Sequence, residues 1–385
     1  MVLARRATLF EESVIRGMTR LCQQHQAINL AQGFPDWDPP REVLEAAKRA
    51  IDGGYNQYAI TWGSPTFRKA IARKMKNVNG IECDPEEEVT VTCGATEAMM
   101  AAMLAVIDPG DEVVIFEPFY ENYGPDVIIS GAQPVYVPLR FPDFRFDRDE
   151  LRAAFSPRTK AVILNTPNNP TGKVFTEDEL ACIAALCREF DALAITDEIY
   201  EHILYAGRRH ISIATLPGMR DRTITICGHS KTYSMTGWRL AYAVAPPPIT
   251  AGIRKMHDFL TVGAPAPLQE AAAVALELPA AYYTDLAALY DAKRRLLLGV
   301  LRDAGFEAYD PEAAYYIMTD FSAFGFADDT EFAHYLVKEI GVAAVPGTSF
   351  FHHRELGRTK IRFNFAKHDD VLREAGARLK KLRRR

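Results

Sequence analysis

Short apolar runs that alternate with helical stretches constrain this chain more than any other feature. Residues 89–92, 112–116, 133–137, 161–165, 192–196 and 223–226 each read as a short strand, and 96–107 and 176–190 have helical spacing between them. Strands interleaved with helices predict an α/β fold whose large sheet is mostly parallel and covered by helices on both faces. At 385 residues the chain exceeds what one core fills, so two domains are expected. A helical pattern over 281–304 leaves the sheet region. It is followed by a strand at 315–318, a helix at 329–340, a strand at 359–364 and a last helix. These predict a smaller α+β domain, completed by an N-terminal helix over 11–24. The expected division is a large domain over 40–280 and a small domain from 1–39 and 281–385. Residues 31–65, punctuated by Gly, Pro and Tyr, read as loop, and 65–78 reads as helix.

Bulk properties remove several function classes. A net charge of −5 implies no general attraction to nucleic acid. The basic end, Lys380-Lys381-Leu382-Arg383-Arg384-Arg385, reads as a solvated helix tail. Six cysteines show neither CxxC nor a Cys/His ligand spacing, so no metal is expected and they read as small buried hydrophobes in a reducing compartment. No secretory h-region opens the chain and no apolar run approaches transmembrane length, which predicts a cytoplasmic protein without a membrane partner. No Gly-x-Gly-x-x-Gly follows an early strand and no Walker sequence occurs, which argues against dinucleotide and nucleoside-triphosphate enzymes.

The decapeptide Ser230-Lys231-Thr232-Tyr233-Ser234-Met235-Thr236-Gly237-Trp238-Arg239 carries the chemistry. It sets a lysine and an arginine eight residues apart, just after the apolar run 223–226. A lysine at the end of a buried strand is poorly solvated, which lowers its pKa and leaves an amine able to form a Schiff base. An arginine downstream can fork onto a phosphate. An aldehyde with a phosphate describes pyridoxal phosphate. Taken alone, the pair is also compatible with a surface lysine and arginine near a strand end.

The full string resembles the fold-type I, class I/II aminotransferases, whose cofactor lysine sits in S-K-x-[YF]-x-[ML]-x-G-[WL]-R. The resemblance covers nearly the whole chain. Asn29-Leu30-Ala31-Gln32-Gly33-Phe34-Pro35-Asp36 is most similar to the kynurenine/glutamine/methionine branch. It implies an enzyme that moves an amino group from an L-amino acid to a 2-oxo acid by a ping-pong route, with pyridoxal 5'-phosphate on Lys231.

Other motifs match in the same way. Gly94, Ala95 and Thr96 join a strand to a helix whose free N–H groups suit an anion; by resemblance they cradle the phosphate with Arg239 and Ser230. Thr96 as an ordinary helix N-cap is the other reading. Tyr120, at a strand end, matches the residue that stacks on the cofactor ring, with Phe119 expected in the core. Asn169, in the sharp loop Asn165-Thr166-Pro167-Asn168-Asn169-Pro170-Thr171-Gly172, matches a donor to the phenolic oxygen near the substrate carboxylate. Asp197, ending a buried strand, is costly without a partner, and a protonated pyridine nitrogen is a fitting one. Tyr200 matches a second donor to the phenolic oxygen. Arg362 matches the arginine that grips the substrate α-carboxylate, with Gly33 beside that ligand. Tyr58 matches a tyrosine that reaches the phosphate of the other subunit, which implies a homodimer with shared sites.

Two departures leave the amino donor open. Gly228 stands three residues before the lysine where Ser or Thr is frequent. In Glu312-Ala313-Ala314-Tyr315-Tyr316 an Ala stands where Gly is usual, and Gly263-Ala264-Pro265 lacks bulky residues. The competing functions are a cysteine-conjugate β-lyase on the same cofactor and a non-catalytic cofactor-binding regulatory module.

Overall fold

A computed structural model describes residues 4–383. The chain opens its strands with β1 (Ile28–Asn29). Seven follow: β2 (Val89–Thr92), β3 (Glu112–Glu117), β4 (Gln133–Pro138), β5 (Thr159–Asn165), β6 (Leu193–Asp197), β7 (Thr223–Gly228) and β8 (Ala241–Val244). Five more end the set: β9 (Glu307–Ala308), β10 (Tyr316–Asp320), β11 (Val342–Ala343), β12 (Val345–Pro346) and β13 (Lys360–Asn364).

The large sheet has seven strands in the order β2-β8-β7-β6-β5-β3-β4. Four of its neighbouring pairs are parallel, and β8 runs antiparallel to both β2 and β7. Alternate residues of the central strands serve opposite cores. Ile115, Ile163 and Ile195 pack with Ala98 and Met99 of the helix Ala95–Val106. Val114, Val162 and Ala194 pack with Leu180 and Ile183 of the helix Glu177–Glu189. Both faces are therefore dry, which explains why these strands read as continuous apolar runs rather than as alternating ones.

A second, antiparallel sheet has the order β12-β13-β10-β9. Alongside it β1 pairs in parallel with β11, Ile28 against Val342, so the N-terminal segment joins the C-terminal part of the chain. The long helix Ala280–Asp303 buries Leu286, Tyr290, Leu297 and Leu301 in that core.

The structure departs from the sequence reading in several elements. Residues 41–52, expected as loop, form the helix Arg41–Asp52, which buries Val43, Ala46, Ala47 and Ala50. The i, i+3, i+4, i+7 spacing was present but lay between Pro39-Pro40 and Gly53-Gly54. The expected helix over 65–78 is an α-helix over Pro65–Lys74 that passes into a π-turn over Met75–Asn79. Cys22, Cys187 and Cys227 are buried, but Cys83, Cys93 and Cys182 are only partly so. Ala314 adopts φ 58°, the left-handed region that favours glycine, so the departure from the family motif falls where the backbone least suits alanine. The last helix is Asp369–Leu379; of the basic tail, Arg384 and Arg385 lie outside the described residues. No helix among the described residues is long and apolar enough to cross a membrane.

Candidate active site

The C-terminal ends of β2, β3, β5, β6 and β7 deliver their following residues to one cleft of about 1060 Å³. Open α/β sheets characteristically place ligands at this edge. Gly33, Ala95, Thr96, Tyr120, Asn169, Asp197, Tyr200, Ser230, Lys231, Arg239 and Arg362 all line it. Residues from both sheets therefore meet there, Arg362 coming from β13.

Lys231 donates from Nζ to the Gly33 carbonyl at 3.2 Å, and Tyr315 donates to the same oxygen at 3.0 Å. Burial lowers the Lys231 pKa from the usual lysine value. Gly33 has no room for a side chain, because a Cβ there would run into the Tyr316 hydroxyl. Asp197 is buried and its carboxyl is pushed up to about 6, because burial outweighs the donors it accepts. Those donors are Tyr123 Oη at 2.8 Å on Oδ2 and Ile199 N at 3.2 Å on Oδ1.

Arg362 is fully buried. Its Nη1 donates to Asn169 Oδ1 at 2.7 Å and its Nη2 to the Ala31 carbonyl at 2.8 Å. Its guanidinium lies 4.1 Å from the Tyr316 ring centre, and its Nε has no hydrogen-bond partner among the described residues. Asn169 is held in turn by its own N–H, which donates to Asn165 Oδ1 at 2.7 Å. The Tyr200 hydroxyl lies 3.0 Å from that of Tyr316.

Gly94, not Thr96, is the N-cap of the helix Ala95–Val106. Its φ of 88° is a glycine conformation, and a Cβ there would strike the Arg239 guanidinium. The glycine thus lets Arg239 close on the helix N-terminus, where free N–H groups favour an anion. Arg239 itself adopts φ 56°, and its Nη1 donates to the Thr236 carbonyl at 3.1 Å. Ser230 is buried and Thr96 exposed beside this corner. Phe119 turns into the core and stacks on Tyr136, while Tyr120 faces the cleft.

One expected residue lies apart. Tyr58 is outside the cleft and 87% exposed in the single chain. Conversely, sequence reasoning gave no role to Tyr123, which donates to Asp197, nor to Glu121, which accepts from Ser13 Oγ at 2.6 Å and Ile15 N at 3.2 Å. Through Glu121, residues 9–16 border the cleft. The run Glu117-Pro118-Phe119-Tyr120-Glu121-Asn122-Tyr123 carried these polar groups, but only the helix starting at Tyr123 turns the tyrosine back towards β6. A further carboxylate cluster, Glu198 and Glu201 near Cys227, is buried. Lys74 Nζ occupies it, paired with Glu201 and donating to Asn79 Oδ1 at 2.8 Å.

The donor set fits pyridoxal phosphate. A deprotonatable buried amine suits its aldehyde, and an N-terminal helix cap closed by an arginine suits its phosphate. A desolvated carboxyl with no ion-pair partner among the described residues suits its ring nitrogen, and the Arg362 Nε, without a hydrogen-bond partner among them, leaves donor capacity for a carboxylate.

The fold and this cleft define an amino-group-transferring enzyme that uses a carbonyl cofactor. The model of the family "Aminotransferase class I and II" matches residues 25–379, and the chain belongs to that family. It is 41% identical to a probable N-succinyldiaminopimelate aminotransferase of Mycobacterium tuberculosis, over 98% of this chain and 97% of the relative. It is 40% identical to the methionine aminotransferase of Escherichia coli, over 96% of each. The solved structure of the M. tuberculosis N-succinyldiaminopimelate aminotransferase superposes with a TM-score of 0.96 at 40% identity, covering 99% of this chain and 100% of that one. The protein is thus a pyridoxal-phosphate-dependent aminotransferase, as the resemblance implied. The comparisons do not favour the β-lyase or the regulatory module.

Proposed function

We propose that this enzyme takes neutral, unbranched or aromatic L-amino acids, methionine and glutamine among them, as donors and passes the amino group to a 2-oxo acid in a ping-pong cycle. The observation that carries the reading is the convergence of Lys231, Asp197 and Arg362 on one cleft from three separate elements. Apolar groups among its lining, Phe10, Val14, Ile15 and Phe34, suit a neutral side chain, and the E. coli methionine aminotransferase is a relative at 40% identity.

Arg362 binds the donor's α-carboxylate, with Asn169 fixing the guanidinium plane. Lys231, whose pKa burial lowers, takes the α-proton at Nζ and would pass it to the carbon that carried the cofactor's aldehyde, the same transfer running in reverse in the second half of the cycle. When bound, pyridoxal phosphate supplies an aldehyde for the amino group and a ring that accepts the electron pair. Asp197 would pair with the protonated ring nitrogen, Tyr200 and Asn169 would bind the phenolic oxygen and Tyr120 would pack against the ring. Gly94, Ala95, Thr96, Ser230 and Arg239 would hold the phosphate, and the Gly33 backbone would lie beside the substrate carboxylate. The large unit over 40–280 and the small one from 1–39 and 281–385 each contribute a sheet to this cleft. A cytoplasmic homodimer, with Tyr58 completing the partner's phosphate site, belongs to the same reading.

A second donor is favoured by one observation. Arg16 and Arg354 border the cleft, exposed, and offer charge to a distal carboxylate such as that of N-succinyldiaminopimelate. A side-by-side panel of methionine, glutamine, phenylalanine, N-succinyldiaminopimelate and aspartate against one oxo acid decides between them. Methionine, glutamine or phenylalanine should give the highest kcat/KM. N-succinyldiaminopimelate in first place would favour the second reading, and aspartate there would overturn both.

A further inference from the structure

Tyr123 is buried, 3% exposed, at the start of the helix Tyr123–Ile129. Its ring meets Tyr120 edge-on, with centroids 5.9 Å apart. Its hydroxyl donates to Asp197 Oδ2 at 2.8 Å. The other carboxylate oxygen accepts from Ile199 N at 3.2 Å, and the Asp197 carbonyl accepts from Asn165 Nδ2 at 2.9 Å and Thr166 N at 3.1 Å. The strand end is therefore fixed on three sides, and both carboxylate oxygens already receive a hydrogen. Such an arrangement suits the ionised form.

We propose that Tyr123 is a positioning residue for transamination: its hydroxyl keeps Asp197 ionised and in one plane, ready for the protonated nitrogen of the cofactor ring. The inference rests on the role given to Asp197 above. Without this donor, the balance at Asp197 tips towards the neutral acid. Burial acts in that direction, and so does the charge of Glu198; only the Ile199 N–H and the Lys231 amine act against it. Tyr120 borders Tyr123, and Asp126, one turn along the helix, is itself pushed towards the neutral acid by burial. Among the described residues, the side-chain hydrogen bond to Asp197 thus comes from a residue that makes none to Lys231.

The test is Tyr123→Phe, which removes one oxygen and keeps the ring. Holoenzyme prepared with pyridoxal phosphate labelled with ¹⁵N in its ring reports directly whether that nitrogen is protonated. In the wild-type enzyme the signal should be that of the protonated nitrogen across neutral pH. In Tyr123→Phe it should move towards the unprotonated position. The kcat should fall about 10- to 100-fold, the value of one hydrogen bond to a charged group, with KM for the amino donor changed far less. Tyr123→His, which restores a donor, should recover part of both. A protonated signal in Tyr123→Phe with the same pH profile as the wild type overturns the role of Tyr123 alone. An unprotonated signal in the wild type overturns the role of Asp197 itself.

Discussion

At the scale of single residues, the cleft holds charged groups in environments that penalise their charge. Lys231 and Asp197 are the two clearest. Burial lowers the lysine and raises the aspartate, so each is driven towards neutrality until a ligand arrives. Asp197 gives this a measurable sign. Its carboxyl sits at about 6 in the folded apoprotein against 3.8 for an ordinary aspartate. The folded state thus keeps a proton that the unfolded chain releases earlier. Its contribution to stability is fully present below pH 4 and is lost as pH rises through 6. Asp197→Asn cannot titrate. Relative to the wild type, apo Asp197→Asn should therefore gain about 3 kcal/mol between pH 4 and pH 7, while losing transamination. Denaturant melts of both apoproteins at the two pH values check this. A difference that stays constant with pH would remove desolvation as the cause.

At the scale of elements, the site depends on how strand ends meet helix starts. The joint after β2 is the most restrictive, because Gly94 combines a left-handed φ with contact against Arg239. Gly94→Ala should lower apoprotein stability by about 1–3 kcal/mol from backbone strain alone, and should also speed cofactor loss during dialysis, since Arg239 must move. Faster loss with unaltered stability would place the effect on the arginine only, and no change in either would refute the joint. This is also the scale at which sequence and structure can best be compared. The central sheet strands were legible because both faces are buried, which writes an apolar run into the chain. Many of the residues lining the cleft were legible because they follow such a run within a few positions, whereas Arg239 and Arg362 were legible only through the family motifs. The helix Arg41–Asp52 was not, because its apolar face consists of Val43 and three alanines, a weak signal between prolines and glycines. Tyr123 was missed for a different reason. Its partner Asp197 is 74 residues away, and nothing local distinguishes a tyrosine that donates to a buried acid from one that fills a core.

At the scale of the whole molecule, one surface is left unexplained by a single chain. Tyr58 is 87% and Phe259 92% exposed, with Tyr55, Ile60, Leu260 and Val262 also open. The two groups adjoin, since His257 Nε2 lies 2.9 Å from the Thr61 carbonyl. Monomers seldom present such a set of apolar groups together. The expected outcome in sedimentation is a dimer. Tyr58→Phe should retain the dimer but weaken cofactor retention by about 0.5–3 kcal/mol, the range for one hydrogen bond to a charged group. A monomer with full activity and bound cofactor would contradict shared sites.

Lys231, as the residue that carries the cofactor, is the centre of the cleft's chemistry. Holoenzyme reduced with borohydride and digested gives the position of the modified lysine by peptide mapping. The label is expected on Lys231, within the peptide that spans Ser230 to Arg239, and Lys231→Ala should bind cofactor without becoming labelled. Label on any other lysine, with Lys231 unmodified, would contradict the account.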